Sequence, residues 1–125
     1  MLKTARLHPY IPVSNLGRAR AFYEQKLGLG PGEEYGPGII YSSGPDSSFF
    51  MYPSPGAGTS KASQAFWQVE DVEAEVAELK ARGVVFEEYD APGLRTVNSI
   101  ATGGGAKTAW FRDSEGNILA ISQRI

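Results

Sequence analysis

The sequence predicts an α+β fold: two tandem βαβββ modules forming a curved mixed sheet around a cleft, with the helices on the outer face. Three observations carry that prediction. A strand, cap, helix and terminal glycine run from His8 to Gly28 (HPYIPVSNLGRARAFYEQKLG), and the same layout returns from Gln64 to Gly83 (QAFWQVEDVEAEVAELKARG). The offset between the copies is 56 positions from His8 to Gln64, 56 from Asn15 to Asp71 and 55 from Gly28 to Gly83. Each copy is followed by short apolar runs separated by Gly, Pro and Asp turns, which read as strands. The period is too long for a solenoid unit, and two copies fill the chain. The first module covers residues 1–52, a linker 53–63 and the second module 64–125, together one domain.

Thr4 to Val13 alternates Leu7, Ile11 and Val13 against His8, Tyr10 and Pro12, the pattern of a half-buried strand. Pro9 and Pro12 each remove an N–H donor, which puts part of it at an edge. Ser14 or Asn15 caps the next helix, whose buried stripe is Leu16, Ala19, Phe22, Tyr23 and Leu27, and Gly28 ends it. Arg18 and Arg20 lie where the helix dipole does not favour cations, and are read as a solvated face with acidic neighbours. Short strands follow near Glu33–Tyr35, Ile39–Ser43 and Ser48–Tyr52. The polar stretch PSPGAGTSKAS, Pro53 to Ser63, has linker composition.

In the second copy Gln64 to Val69 is the matching strand. Asp71 caps a helix striped by Val72, Val76 and Leu79, with acids leading, Lys80 and Arg82 closing, and Gly83 at its end. Val84 to Tyr89 reads as a strand, and Asp90 to Gly105, without apolar period, as a mobile flap. Ala106–Arg112 and Asn117–Ser122 are the last strands, joined by the Asp113-Ser114-Glu115-Gly116 turn.

Composition excludes several classes. Net charge is −2 with no basic run, so nucleic acid is not an expected partner. The absence of cysteine removes disulfides, thiolate nucleophiles and Cys-based metal sites. MLKTARLHPYIPV lacks the apolar core of a signal peptide, and no apolar run is long enough to span a bilayer. The expectation is a cytoplasmic protein with no membrane partner.

Strand parity separates two faces. One gathers Leu7, Ile11, Val13, Trp67, Val69, Ala109, Phe111, Leu119 and Ile121 and suits packing under the helices. The other gathers His8, Tyr10, Phe49, Met51, Gln64, Phe66, Gln68, Thr108, Trp110, Ile118, Ala120 and Ser122. A face meant for water would carry Lys and Glu, and a dry core Leu and Val. Aromatic walls with a few polar groups line small-molecule clefts instead.

Three stretches, IPVSNLGRARAFYEQKLGL (Ile11–Leu29), FWQVEDVEAEVAELKARGV (Phe66–Val84) and AWFRDSEGNILAI (Ala109–Ile121), together resemble the vicinal oxygen chelate superfamily. This is the glyoxalase, bleomycin-resistance protein and extradiol dioxygenase fold. The last stretch is similar to the family's aromatic–Asp-Pro-Asp-Gly-Asn turn, with Ser-Glu replacing Pro-Asp. The resemblance implies metal ligands at the first and last strands of each module. Here those positions hold His8, Gln64, Ala120 and, as read from the sequence, Met51. His8 matches the family's His, and Gln matches a position usually held by His. Ala120 falls where family enzymes carry Glu and cannot coordinate, while the Met51 thioether suits hard divalent ions poorly.

His8 is the only histidine, so one good ligand faces the three of a typical catalytic site. The expectation is therefore a metal-free, cofactor-free binding protein of bleomycin-resistance type rather than an enzyme. Its ligand would be aromatic or planar, held by Trp110, Phe66, Tyr10 and Phe49 and oriented by Gln64, Gln68, Thr108 and His8. The alternative is a lyase, isomerase or dioxygenase-type enzyme using a divalent metal at His8 and Gln64, or a metal-free reaction with His8 as the candidate catalytic base. The resemblance also implies paired modules, within one chain or across a C2 homodimer, and a homodimer is expected.

Overall fold

A computed structural model describes residues 1–125. The first half contains β1 (Tyr10–Val13), α1 (Leu16–Ala21), β2 (Glu33–Tyr35), β3 (Gly38–Ser42) and β4 (Ser48–Pro53). The second contains β5 (Phe66–Gln68), α2 (Val72–Ala81), β6 (Asp90–Ala91), β7 (Leu94–Arg95), β8 (Ile100–Gly103), β9 (Ala106–Arg112) and β10 (Ile118–Arg124). The strand orders are β1-β4-β3-β2 and β5-β10-β9-β8, each a four-stranded mixed sheet in which the first strand runs parallel to the last. The α+β duplication is therefore as expected.

The helices start alike. The Asn15 side chain accepts from the Arg18 N–H at 3.0 Å, and Asp71 accepts from the Ala74 N–H at 3.1 Å, each satisfying an otherwise unpaired donor of the first turn. Gly28 and Gly83 close them at φ +73° and +91°, where a β-carbon would be strained. From cap to glycine the first copy spans 13 positions and the second 12. The structure accounts for the extra residue. After Ala21 the helix widens into a π turn over Phe22–Lys26, with Leu27 N–H donating to the Phe22 carbonyl at 3.2 Å. That turn sets both Phe22 and Tyr23 into the core.

The helix-bearing faces of the two sheets share one interior. Seventeen buried residues form a single cluster, with Tyr23, Tyr41, Phe49 and Met51 from the first half meeting Val76, Phe111 and Leu119 from the second. The Phe49 and Trp67 rings meet edge-on at 6.2 Å, and Trp67 Nε1–H donates to Ser43 Oγ at 3.0 Å. No hydrogen-bonded strand pair joins the sheets.

The Asp113–Asn117 turn latches the halves together. Asp113 Oδ1 accepts the Glu115 and Asn117 N–H groups at 2.9 Å each, while Oδ2 accepts the Tyr23 hydroxyl at 2.5 Å. Asn117 Nδ2 donates to the Pro12 carbonyl at 2.7 Å, and its Oδ1 accepts from Gly58 N–H at 3.1 Å. The Glu115 side chain is fully shielded from solvent and accepts from Ser14, Asn15, Arg18 and Ser114. Arg18 is thus not part of a merely solvated helix face; it pairs across the module boundary at 2.8 Å. Arg20 does meet acidic neighbours, Glu24 and Glu34.

Three sequence expectations change. Leu7 is 94% exposed rather than core, because extended strand begins only at Tyr10. Val84–Tyr89 makes a single bridge, Phe86 to Phe111, instead of a strand. Asp90–Gly105, expected as an irregular flap, contains β6, β7 and β8, and β8 takes the sheet edge that β2 holds in the other half. The segment is pinned: the Glu88 carboxylate accepts from Thr96 Oγ1 at 2.7 Å, Ser99 N–H at 3.1 Å and Ser99 Oγ at 2.6 Å. Those bonds hold Asn98 and Ser99 in left-handed conformation, a turn that apolar periodicity does not reveal. No helix is long and apolar enough to cross a membrane.

Candidate functional site

The sheet faces turned away from the shared core carry the candidate chemistry, and strand register decides which residues they present. In the first sheet Tyr10 pairs with Phe50 and Phe50 with Ile40, while Ile11, Met51 and Ile39 form the next row on the opposite face. The open face therefore holds Tyr10, Phe50 and Tyr52, joined by Tyr35 from β2. Ring centroids lie 5.3 Å apart for Tyr10–Phe50, 5.1 Å for Tyr10–Tyr52 and 6.0 Å for Tyr35–Phe50. Tyr10 is 62% exposed and Tyr35 65%. At the end of this ladder the His8 Nδ1 lies 2.8 Å from Ser48 Oγ.

In the second sheet Phe66 and Trp110 flank Ala120, and Gln68 and Thr108 flank Ser122. The Thr108 and Ser122 hydroxyls bond to each other at 2.9 Å, Trp110 meets Tyr89 edge-on at 5.6 Å, and Phe66 is 64% exposed. Ala120 is buried at 2% exposure on this row. Gln64, half-buried, precedes the strand and donates its backbone N–H to the Ile118 carbonyl at 2.9 Å.

Phe49 and Met51, expected on the open face, point into the core instead. Both are buried, at 7% and 0% exposure, and belong to the core face. A one-residue slip exchanges the faces of a strand, and Ser48-Phe49-Phe50-Met51-Tyr52 is apolar on both parities, so nothing in its composition fixes the phase. Phe50, Tyr52, Tyr35 and Tyr89 were missed for the same reason or because they lie outside the repeat. The signal that recovers Phe50 is the duplication itself. Tyr10 and Phe66 are 56 positions apart and pair with Phe50 and Ala120 respectively, so Phe50 is the counterpart of Ala120.

That register also tests a metal. The positions the fold would use carry His8, Gln64, Phe50 and Ala120, and the last two have no donor atom. His8 and Gln64 lead into strands of different sheets, and no three His, Cys, Asp or Glu side chains are gathered to share an ion. The residues present do not fit a divalent cation.

His8 and Tyr10 are thus grouped on one sheet, and Phe66, Gln68, Thr108, Trp110, Ala120 and Ser122 on the other, but the two groups are not brought together within the chain. The halves meet through their helix-bearing faces and leave both aromatic faces open.

Solved structures with the same architecture exist at low sequence identity. UcmS2 superimposes with a TM-score of 0.72 at 22% identity, covering 94% of this chain and 97% of that one. TnmS3 from Streptomyces sp. CB03234, an antibiotic binding protein, gives 0.71 at 23% identity over 98% and 99%. A glyoxalase/bleomycin resistance protein/dioxygenase from Alicyclobacillus acidocaldarius gives 0.72 at 18% identity over 98% and 92%. These likenesses establish the fold alone. No curated protein matches the sequence. The family model for the glyoxalase/bleomycin resistance protein/dioxygenase superfamily matches residues 5–121, nearly the whole chain, from before β1 into β10, and to that superfamily the chain belongs.

Proposed function

We propose that this protein binds a small aromatic or planar organic molecule, without a metal, between the open aromatic face of one chain's first sheet and the open face of a partner copy's second sheet. The observation that carries the reading is the ladder Tyr10, Tyr35, Phe50 and Tyr52, four rings on a sheet face that the chain's own core does not cover. Exposed contiguous aromatic surface marks a site of association. The facing wall would be Phe66 and Trp110, with Gln68, Thr108 and Ser122 supplying the few polar contacts that orient a ligand. His8 would hydrogen-bond at the rim. Since the halves of one chain pack back to back, a second copy related by a two-fold axis is the economical way to close the site, and it closes two at once.

The antibiotic binding recorded for TnmS3, a structural neighbour at 23% identity, supports a small-molecule ligand. Stacking adds about 0.5–1.5 kcal/mol per well-placed aromatic pair beyond area burial, so two walls together with ordinary burial suffice for micromolar affinity. The test is a titration of planar aromatic compounds against the protein, followed by tryptophan emission and calorimetry. Saturable micromolar binding is expected, weakened about tenfold or more by Trp110→Ala while the melting temperature holds. Collapse of stability in Trp110→Ala, or binding that the substitution leaves unchanged, would sink the reading.

A further inference from the structure

A hollow lies in the groove between the halves, and of the residues on the open face of the second sheet only Gln68 reaches its lining. It encloses about 340 Å³ and is walled by Leu27 and Leu29 from the first half and by Trp67, Leu79 and Phe111 from the second. That volume lies within the range of about 300–1,000 Å³ typical of small-molecule pockets. Its main wall is fixed, because the Trp67 indole N–H is tied to Ser43 Oγ at 3.0 Å and the ring stacks on Phe111 at 6.3 Å.

One charged side chain lines this hollow, Glu75, and it has no counterpart. Neighbouring acids on α2 are engaged: Asp71 caps the helix, Glu73 pairs with Lys107 at 2.8 Å and Glu78 with Arg82 at 3.2 Å. Glu75 is half-buried, forms no ion pair and accepts no hydrogen bond, and no Lys, Arg or His lines the hollow. A half-shielded carboxylate against an apolar wall attracts a cation that also brings apolar surface.

We infer that this inter-module hollow is a second binding site, for a small organic amine whose aromatic or aliphatic body fills the space between Leu27, Leu79 and Trp67 while its ammonium group pairs with Glu75. An anion of the same shape is repelled, and a neutral analogue gains only the apolar contact.

The test uses 2-phenylethylamine as the probe, with 2-phenylethanol and phenylacetate as its neutral and anionic counterparts. Trp67 and Trp110 are the chain's two tryptophans, so in Trp110→Phe the emission reports Trp67 alone and the aromatic sheet face contributes no signal. Expected is a saturable change at millimolar concentration or below for the amine, about tenfold weaker binding of the alcohol and none of the acid. Glu75→Gln is expected to bring the amine to the level of the alcohol. Equal affinity for amine and alcohol, an unaltered amine affinity in folded Glu75→Gln, or no saturable change would each overturn the inference. The comparison of amine with alcohol is made on the protein with Glu75 intact and holds even if the Glu75 variant folds poorly.

Discussion

Replacing Glu115 with Gln tests how the two halves are held together. The carboxylate accepts from Ser14 N–H and Oγ, Asn15 N–H and both Arg18 nitrogens within reach, and from Ser114 Oγ, at distances between 2.8 and 3.1 Å. Burial alone pushes the carboxyl up, but the bonds from Arg18, Ser114, Asn15 and Ser14 outweigh it and hold it at about 2, against an ordinary 4.5. That gap corresponds to about 3 kcal/mol, reduced to about 2 kcal/mol because Arg18 is half exposed and the pair is partly screened. The folded value is depressed, so the stabilisation is complete above the unfolded value of 4.5 and fades as pH falls towards 2. A Gln side chain keeps one acceptor but turns an NH₂ towards donors. Urea unfolding at pH 7 is expected to show Glu115→Gln less stable by about 2 kcal/mol, a midpoint shift of about 1 M. At pH 3 the difference should fall below half of that, because the protein with Glu115 intact has then lost most of its advantage. A deficit under about 0.5 kcal/mol at pH 7, or the same deficit at both pH values, would refute the assignment of Glu115 as a charged clamp.

The other consequences concern packing and the open faces. Tyr23→Phe leaves Asp113 Oδ2 with Asn117 Nδ2 as its remaining partner and should cost about 1–2 kcal/mol in urea unfolding. Gly38→Ala would set a β-carbon 2.1 Å from the Met51 carbonyl oxygen across the β3–β4 pair, so a loss of about 3 kcal/mol or more is expected in thermal unfolding. Gly103→Ala, whose β-carbon meets nothing within 4 Å, should stay within about 0.5 kcal/mol of the parent. Tyr10→Ala removes a ring that is 62% exposed, and should alter the melting temperature by no more than a few degrees while weakening aromatic ligands.

The duplication was legible because its landmarks are local. Asn15 and Asp71 cap, Gly28 and Gly83 terminate, and such residues announce themselves in sequence. The core-facing rows Ile11–Val13, Ala109–Phe111 and Leu119–Ile121 were equally readable, since their partners across the strand alternate with them. β4 was not. Its phase is set by parallel pairing with β1, a contact between residues some 40 positions apart, and both its faces are apolar. The polar turn Asp113–Asn117 was recognised as a motif, yet its work of binding Tyr23, Pro12, Gly58 and Arg18 depends on tertiary placement that spacing cannot reveal. The hollow beside Glu75 was hidden for a similar reason: its walls come from both halves.

Complementation between two binding-deficient proteins tests the central claim most directly. One carries Tyr10→Ala and Phe50→Ala in its first sheet, the other Trp110→Ala in its second. Each alone should bind the aromatic ligand at least about tenfold more weakly than the parent protein does. Mixed after unfolding and refolding together in equal amounts, half of the dimers are mixed, and each mixed dimer has one site with both walls intact. Calorimetry should then recover about one quarter of the parent's sites at the parent's affinity. No recovery, with both proteins folded and dimeric, would show that the walls do not meet across the two-fold axis and would contradict the account.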